Sequence, residues 1–261
     1  MIIITCKVRG IPSTLQHVFM RRSIGLLNSL PAPLLCEMIG HAGYDFVVLD
    51  LEHLLVSPDQ LQHAIRACEL GGCEPWVRVP EVDEKLIGRV LDAGAKGIVI
   101  PRLETAEQAQ RAVRAAHFPP WGRRGITGGR VTGFGKIPMA DYIERTHREI
   151  RIVPMIESAA GVEALPEILA VAGVSLIMEG AFDLALDLGL GAQPLHPDVW
   201  ARLLQMAEHC RLAGIPFCAN PRNDEQRDYW LGQGMHWLFA GEDRGLVQAA
   251  LRARQLALRE A

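Results

Sequence analysis

Short, almost wholly apolar runs alternate along this chain with stretches whose apolar residues recur at helical spacing. The runs Ile24–Asn28, Phe46–Asp50, Pro75–Val79, Gly97–Ile100, Ile152–Ile156, Val174–Met178, Ile215–Ala219 and Trp237–Ala240 read as buried strands. Between them, Ser57–Leu70, Asp83–Ala93, Ala106–Ala116, Val199–Ala213 and Arg244–Leu258 read as amphipathic helices. Ser57-Pro58-Asp59 is a helix start, with the serine hydroxyl placed to cap and the proline at the first helical position. Gly43, Gly71, Gly94, Gly173, Gly214 and Gly234 fall where helices should stop.

Strands that are apolar on both faces belong in a parallel sheet covered by helices. Eight such strands in strict alternation with helices predict an α/β fold, a single closed (β/α)8 TIM barrel, and 261 residues suit it. An open, doubly wound sheet is the alternative. It has no nucleotide motif behind it, since neither GxGxxG nor GxxxxGK[ST] occurs where that fold needs it. Residues 1–22 fit the alternation poorly and are expected to form an irregular lead-in, with the barrel over 23–261. Met1–Lys7 is apolar but short and has no basic flank, so no secretory leader is expected.

Composition narrows the function. At 49% hydrophobic residues the chain can fill a large core, and a net charge of −3 gives no attraction for nucleic acid or an anionic membrane. No apolar stretch approaches the ~18 residues that span a bilayer. Six cysteines (Cys6, Cys36, Cys68, Cys73, Cys210, Cys218) lack CxxC spacing and read as buried thiols of a cytoplasmic protein.

Chemistry in such a barrel sits at the C-terminal ends of the strands, and polar residues gather there. Asp50-Leu51-Glu52-His53 follows the second strand, Arg78 ends the third and Pro101-Arg102 the fourth. Glu157 ends the fifth, Asp183 follows the sixth, Asn220-Pro221-Arg222 the seventh and Gly241–Arg244 the eighth. Glu157 and Asp183, on neighbouring strands, can converge on one hard divalent cation, which prefers oxygen ligands. A cation, a histidine and a guanidinium on one rim suit 2-oxo acid chemistry. Each residue also has a plainer explanation. Glu157 would cap the next helix, Asp183 would be an ordinary N-terminal helix acid, His53 a packed rim histidine and Arg78 a partner of Glu52. Trp76, Trp237 and the other histidines read as packing or surface residues. One connection, His117–Lys136, is long and carries six glycines and four basic residues, as a functional loop or a subunit contact would.

Gly43-Tyr44-Asp45-Phe46 through Asp50-Leu51-Glu52-His53, Val77-Arg78-Val79-Pro80, Leu91-Asp92-Ala93-Gly94-Ala95, Pro119–Gly125, Met155-Ile156-Glu157 and Gly180-Ala181-Phe182-Asp183-Leu184 occur in one order across nearly the whole chain. Together they resemble the HpcH/HpaI aldolase family. The resemblance implies a barrel of the phosphoenolpyruvate/pyruvate-binding type and a hexamer built from dimers, whose last helix is often exchanged between subunits. It also implies a divalent ion (Mg2+, Mn2+ or Co2+) that binds a 2-oxo acid such as pyruvate for reaction with an aldehyde. Carried over, Glu157 and Asp183 would hold the metal, His53 would be the acid/base with Asp50 orienting its ring, and Arg78 would neutralise substrate oxygen. Backbone N–H groups around Gly180, Ala181, Phe182 and Asp183 would hold the substrate carboxylate.

The family usually carries Gly-Pro-x-Asp-Leu-Ser, where this chain has Gly180-Ala181-Phe182-Asp183-Leu184-Ala185. Glu179 stands where an apolar residue is usual, and Met155 where many members have Gln. These departures, with Gly128–Val131, Phe134–Lys136 and Pro216–Arg222, are similar to a divergent branch that includes a siderophore-pathway citrate synthase of staphyloferrin B biosynthesis. That branch would join acetyl-CoA to oxaloacetate, with Arg123, Arg124, Arg130 and Lys136 available for a CoA phosphate. A non-catalytic family member acting as a binding protein is the third reading.

Overall fold

The computed structural model describes residues 21–259. The lead-in expected over 1–22 therefore lies, apart from Arg21 and Arg22, outside the described residues. Eight strands, β1 (Ser23–Asn28), β2 (Phe46–Asp50), β3 (Glu74–Arg78), β4 (Gly97–Ile100), β5 (Arg151–Ile156), β6 (Ile177–Glu179), β7 (Phe217–Ala219) and β8 (Trp237–Glu242), form a closed barrel in chain order. All neighbours are parallel, and β1 pairs with β8, so the open sheet is overturned. The helices are α1 (Pro33–His41), α2 (Pro58–Gly71), α3 (Glu84–Ala93), α4 (Ala106–Ala116), α5 (Met139–Glu149), α6 (Ala159–Leu169), α7 (Ala181–Asp187), α8 (Pro197–Ala213), α9 (Asp224–Gly232) and α10 (Asp243–Arg259). No helix among the described residues is long and apolar enough to cross a membrane.

The predicted start of α2 is built as expected. Ser57 accepts from Gln60 N–H, and Gln60 reaches back to the Ser57 backbone, with Pro58 opening the helix. Its stop differs, because α2 runs through Gly71 and the left-handed residue is Gly72 (φ 83°). Gly71 serves close approach instead. A Cβ there would stand 2.6 Å from the Glu37 carbonyl oxygen, and one on Gly40 would stand 2.6 Å from the Gly71 oxygen. The sixth strand starts later than its apolar run, with Val174 held to β5 by a single bridge to Ile152. The described cysteines, Cys36, Cys68, Cys73, Cys210 and Cys218, are free and buried, as expected; Cys6 lies outside the described residues.

Side chains of a strand alternate between its two faces, and this period of two seats the site. Phe46, Val48, Trp76, Val99, Val153, Met155, Met178, Cys218 and Phe239 share one face and pack together inside the barrel. Val47, Leu49, Val77, Ile98, Ile152 and Ile177 share the other and pack under the helices. Phe46 and Trp76 stack at 4.0 Å, with Trp237 and Phe239 beside Phe46. Gly25 and Gly97 make room for that stack, since a Cβ on either would stand 2.1 Å from Phe46 or 2.6 Å from Trp76. The result is an aromatic floor, and burial of each large side chain stabilises the fold by roughly 1.5–3 kcal/mol. Continued to the strand ends, the same alternation turns Asp50, Arg78 and Glu157 inward above that floor.

The barrel is closed at its seam by a buried carboxylate. Asp243, the first residue of α10, accepts from Asn28 Nδ2 (2.6 Å), Ser29 N–H (2.9 Å), Ser29 Oγ (3.0 Å) and Leu30 N–H (3.3 Å). It is the one buried residue of α10, whose Leu246, Val247, Leu251, Leu256 and Leu258 are exposed.

Candidate active site

Parallel register sets Asp50 beside Arg78. Arg78 Nε donates to Asp50 Oδ1 at 2.9 Å, and Nη1 lies 3.0 Å from Glu52 Oε2. Met155 Sδ is 3.9 Å from the same Nη1. Burial works against the buried guanidinium, but Asp50, Glu52 and Glu157 outweigh it and raise its pKa. Asp50 Oδ1 also accepts the Glu52 N–H at 3.0 Å. His53, with its side chain 62% exposed, stands 3.5 Å from Glu52 Oε2 through Nε2. The expectation that Asp50 orients His53 is corrected here. Asp50 is taken up by Arg78, its register neighbour, and the carboxylate beside the imidazole is Glu52.

Glu157 is 3% exposed. It does not cap the next helix, because Ser158 does, accepting the Gly161 N–H at 3.1 Å. The Arg102 N–H donates to Glu157 Oε1 at 2.7 Å. Arg102 makes that contact from a left-handed backbone (φ 42°), a conformation costly for a residue with a side chain. Burial pushes the Glu157 carboxyl up to about 7, and the charges of Glu52 and Asp183 push it the same way. Burial likewise raises Glu52, with Asp50 and Asp183 adding to the shift. Glu52, Glu157 and Asp183 are thus near enough to repel one another.

This arrangement fits a divalent cation. The donors are all carboxylate oxygens, the choice of a hard ion, and the crowded negative charge calls for a positive one. Among the described residues no group of three or more His, Cys, Asp or Glu side chains is placed to enclose a metal by itself. An ion held by Glu157 and Asp183 alone would keep positions open for substrate oxygens, since hard divalent ions take about six ligands or more.

The backbone donors expected for a substrate carboxylate divide into two pairs. Gly180 N–H donates to Ile156 O at 3.1 Å, and Ala181 N–H to Glu179 Oε2 at 3.1 Å. Gly180 and Ala181 are therefore committed within the fold, which corrects that expectation. Phe182 and Asp183, in the first turn of α7, have no carbonyl one turn back inside the helix. Phe182 is 54% exposed at the rim.

Two side chains of the rim had no role in the sequence reading. Glu179 is buried, and Arg222 meets it with two parallel hydrogen bonds of 2.9 Å. A charge inside an apolar run was the available signal for Glu179; nothing local points from it to Arg222.

The long basic connection lies at the other end of the barrel. It leaves the end of α4 and returns through α5 to the start of β5, which puts it at the strands' N-terminal face. Arg124 is buried there, with Nη2 2.7 Å from Asp92 Oδ1 and 3.2 Å from the Tyr142 hydroxyl. Arg130 pairs with Glu69 and donates to the Ala93 carbonyl at 3.2 Å. Within one chain Arg124 and Arg130 are spent on packing, whereas Arg123 and Lys136 are exposed.

The chain is similar in sequence and in overall fold to known proteins. A 5-keto-4-deoxy-D-glucarate aldolase of Salmonella paratyphi A is 34% identical over 230 residues, covering 87% of this chain and 88% of the relative. The solved citrate synthase SbnG has 34% identity and a TM-score of 0.85 over 92% of this chain and 94% of its own. An HpcH/HpaI aldolase from Desulfitobacterium hafniense superimposes with a TM-score of 0.87 at 27% identity, covering 97% of this chain and 98% of that one. The family model for HpcH/HpaI aldolase/citrate lyase matches residues 23–248, and the chain belongs to that family of enzymes.

Proposed function

We propose that this protein is a divalent-metal-dependent aldolase that makes or cleaves a carbon–carbon bond through the enolate of a 2-oxo acid such as pyruvate. The observation that carries the reading is the crowding of Glu52, Glu157 and Asp183 beside a buried Arg78 at one rim. Glu157 and Asp183 hold the ion. When bound, Mg2+, Mn2+ or Co2+ supplies Lewis acidity that steadies negative charge on the substrate's oxygens.

Arg78 presents a guanidinium already oriented by Asp50 and Glu52, suited to a carboxylate or enolate oxygen. The Phe182 and Asp183 N–H groups, at a helix start, receive the substrate carboxylate. In the cleavage direction His53 takes the proton of the C4 hydroxyl of a 4-hydroxy-2-oxo acid. The C3–C4 bond breaks, the aldehyde leaves, and its electron pair stays on the 2-oxo fragment, which regains a proton at C3. Imidazole both accepts and donates a proton, as the reversible reaction needs.

Similarity to SbnG supports a second reading, in which acetyl-CoA is joined to oxaloacetate on the same carboxylates. The exposed apolar side of α10 supports assembly with further copies of this chain, and the hexamer built from dimers is the assembly proposed. Turnover of 4-hydroxy-2-oxo acids with added Mg2+, Mn2+ or Co2+ tests the aldolase; thiol release from acetyl-CoA with oxaloacetate tests the alternative. Activity that Glu157→Ala and Asp183→Ala both retain would refute the assignment of the ion to those residues.

A further inference from the structure

Glu179 ends β6 with the opposite parity to Met178, so its side chain lies behind the barrel wall, under the turn into α7. A carboxylate removed from water needs donors around it, and four reach this one. Ala181 N–H donates to Oε2 at 3.1 Å and Asn220 N–H to Oε1 at 2.9 Å. The Arg222 guanidinium completes a fork, Nη1 to Oε1 and Nη2 to Oε2, each at 2.9 Å. Such charge-assisted, two-bonded pairs fix geometry as well as energy.

Arg222 is itself held. Its Nη1 also donates to the Asn220 carbonyl at 2.8 Å, and its backbone N–H to Gln226 Oε1 at 3.0 Å. Its guanidinium carbon is 5.8 Å from the centre of the Phe182 ring. With both terminal nitrogens on Glu179, the guanidinium ties the loop after β7 to the turn after β6.

That turn carries Asp183. Helix α7 has seven residues, Ala181–Asp187, too few to hold together by its own propensity. Its first turn is moored at two amides, Gly180 to the Ile156 carbonyl and Ala181 to Glu179. Asp183 stands two residues beyond the second mooring.

We propose that Glu179 and Arg222 are positioning residues that set Asp183 against Glu157 for a divalent cation and hold Phe182 at the mouth of the site. The inference rests on the reading of Asp183 as a residue that holds the ion. Partners standing behind a ligand typically change metal affinity or activity by about 10–100-fold when removed.

The test is titration of the whole protein with Mn2+, followed by calorimetry, for wild type, Asp183→Asn, Glu179→Gln, Arg222→Lys and Arg222→Met, with melting temperatures alongside. Arg222→Met leaves a buried charge unpaired, so the neutral double variant Glu179→Gln/Arg222→Met stands in for it if it does not fold. The proposal expects Glu179→Gln and the double variant to bind Mn2+ about 10–100-fold more weakly at near-native Tm. It expects Arg222→Lys, which keeps the charge, to recover part of that loss, and kcat to fall more than KM for the 2-oxo acid rises. Wild-type Mn2+ affinity in the folded variants, with Asp183→Asn impaired, would overturn the proposal and leave the ion's assignment standing. Wild-type affinity in Asp183→Asn would overturn both.

Discussion

Gly180 lies against the carboxylate of Glu157. A Cβ built on it would stand 2.2 Å from Oε2 and 2.7 Å from the Glu157 Cβ. The backbone of Gly180 is at φ −126°, which any residue adopts, so glycine is needed there for room and not for conformation. Gly180→Ala is expected to fold and to bind Mn2+ about 10–100-fold more weakly, because the methyl displaces the carboxylate. Calorimetric titration of the variant checks this.

The elevated Glu157 carboxyl makes cation binding depend on pH. Its ordinary value is 4.5 and its value in the fold is about 7, with burial the main cause. A cation requires the ionised form, so binding competes with a proton below about 7. Mn2+ affinity should rise about tenfold from pH 6 to pH 8, with release of about one proton per ion at pH 6. Calorimetry in buffers of different ionisation heat measures both.

The same shift has a sign for stability. The folded state holds its proton more tightly than the unfolded chain, so the contribution is fully present below about 4.5 and is lost as pH rises through about 7. Glu157→Gln should therefore stabilise the metal-free protein at pH 8, by up to about 3 kcal/mol. Urea denaturation of both proteins at pH 4 and pH 8 should show most of the difference at the higher pH.

His53 is exposed and stands 3.5 Å from Glu52. His53→Ala should lose about 10²–10⁴-fold in kcat, the usual worth of a general acid/base, and keep its affinity for Mn2+ and for the 2-oxo acid. Equal loss of binding and turnover would mark a structural residue.

Asp243 closes the seam between β1 and β8 through four donors. Asp243→Ala leaves one Asn28 amide N–H and the Ser29 N–H without their partner in a buried place and should cost about 3 kcal/mol. The measured quantity is the urea midpoint at unchanged m-value.

Much of this was legible in the chain. Short, nearly continuous apolar runs located the strands, and α3 and α4 declared themselves by amphipathic spacing, with the structure adding the caps Asp83 and Thr105. Helix α6 did not, because Ala159–Leu169 is apolar nearly all round and contains Pro166. Strand parity brings Asp50, Arg78 and Glu157 inward, so that part of the rim follows from sequence. The partner of His53 did not follow, since it depends on Arg78 having claimed Asp50. Arg222 and Glu179 are far apart in sequence, and no local pattern joins them. The basic loop drew attention by its charge, whereas chain topology, a helix leading to a strand, places it at the far face.

Proton exchange at the methyl group of pyruvate in heavy water, followed by NMR with Mg2+ or Co2+ and with a chelator control, tests the enolate chemistry directly. The aldolase account predicts metal-dependent exchange that Glu157→Gln and Asp183→Asn abolish. Absence of exchange in folded protein that binds the metal, or exchange that survives both substitutions, would contradict it.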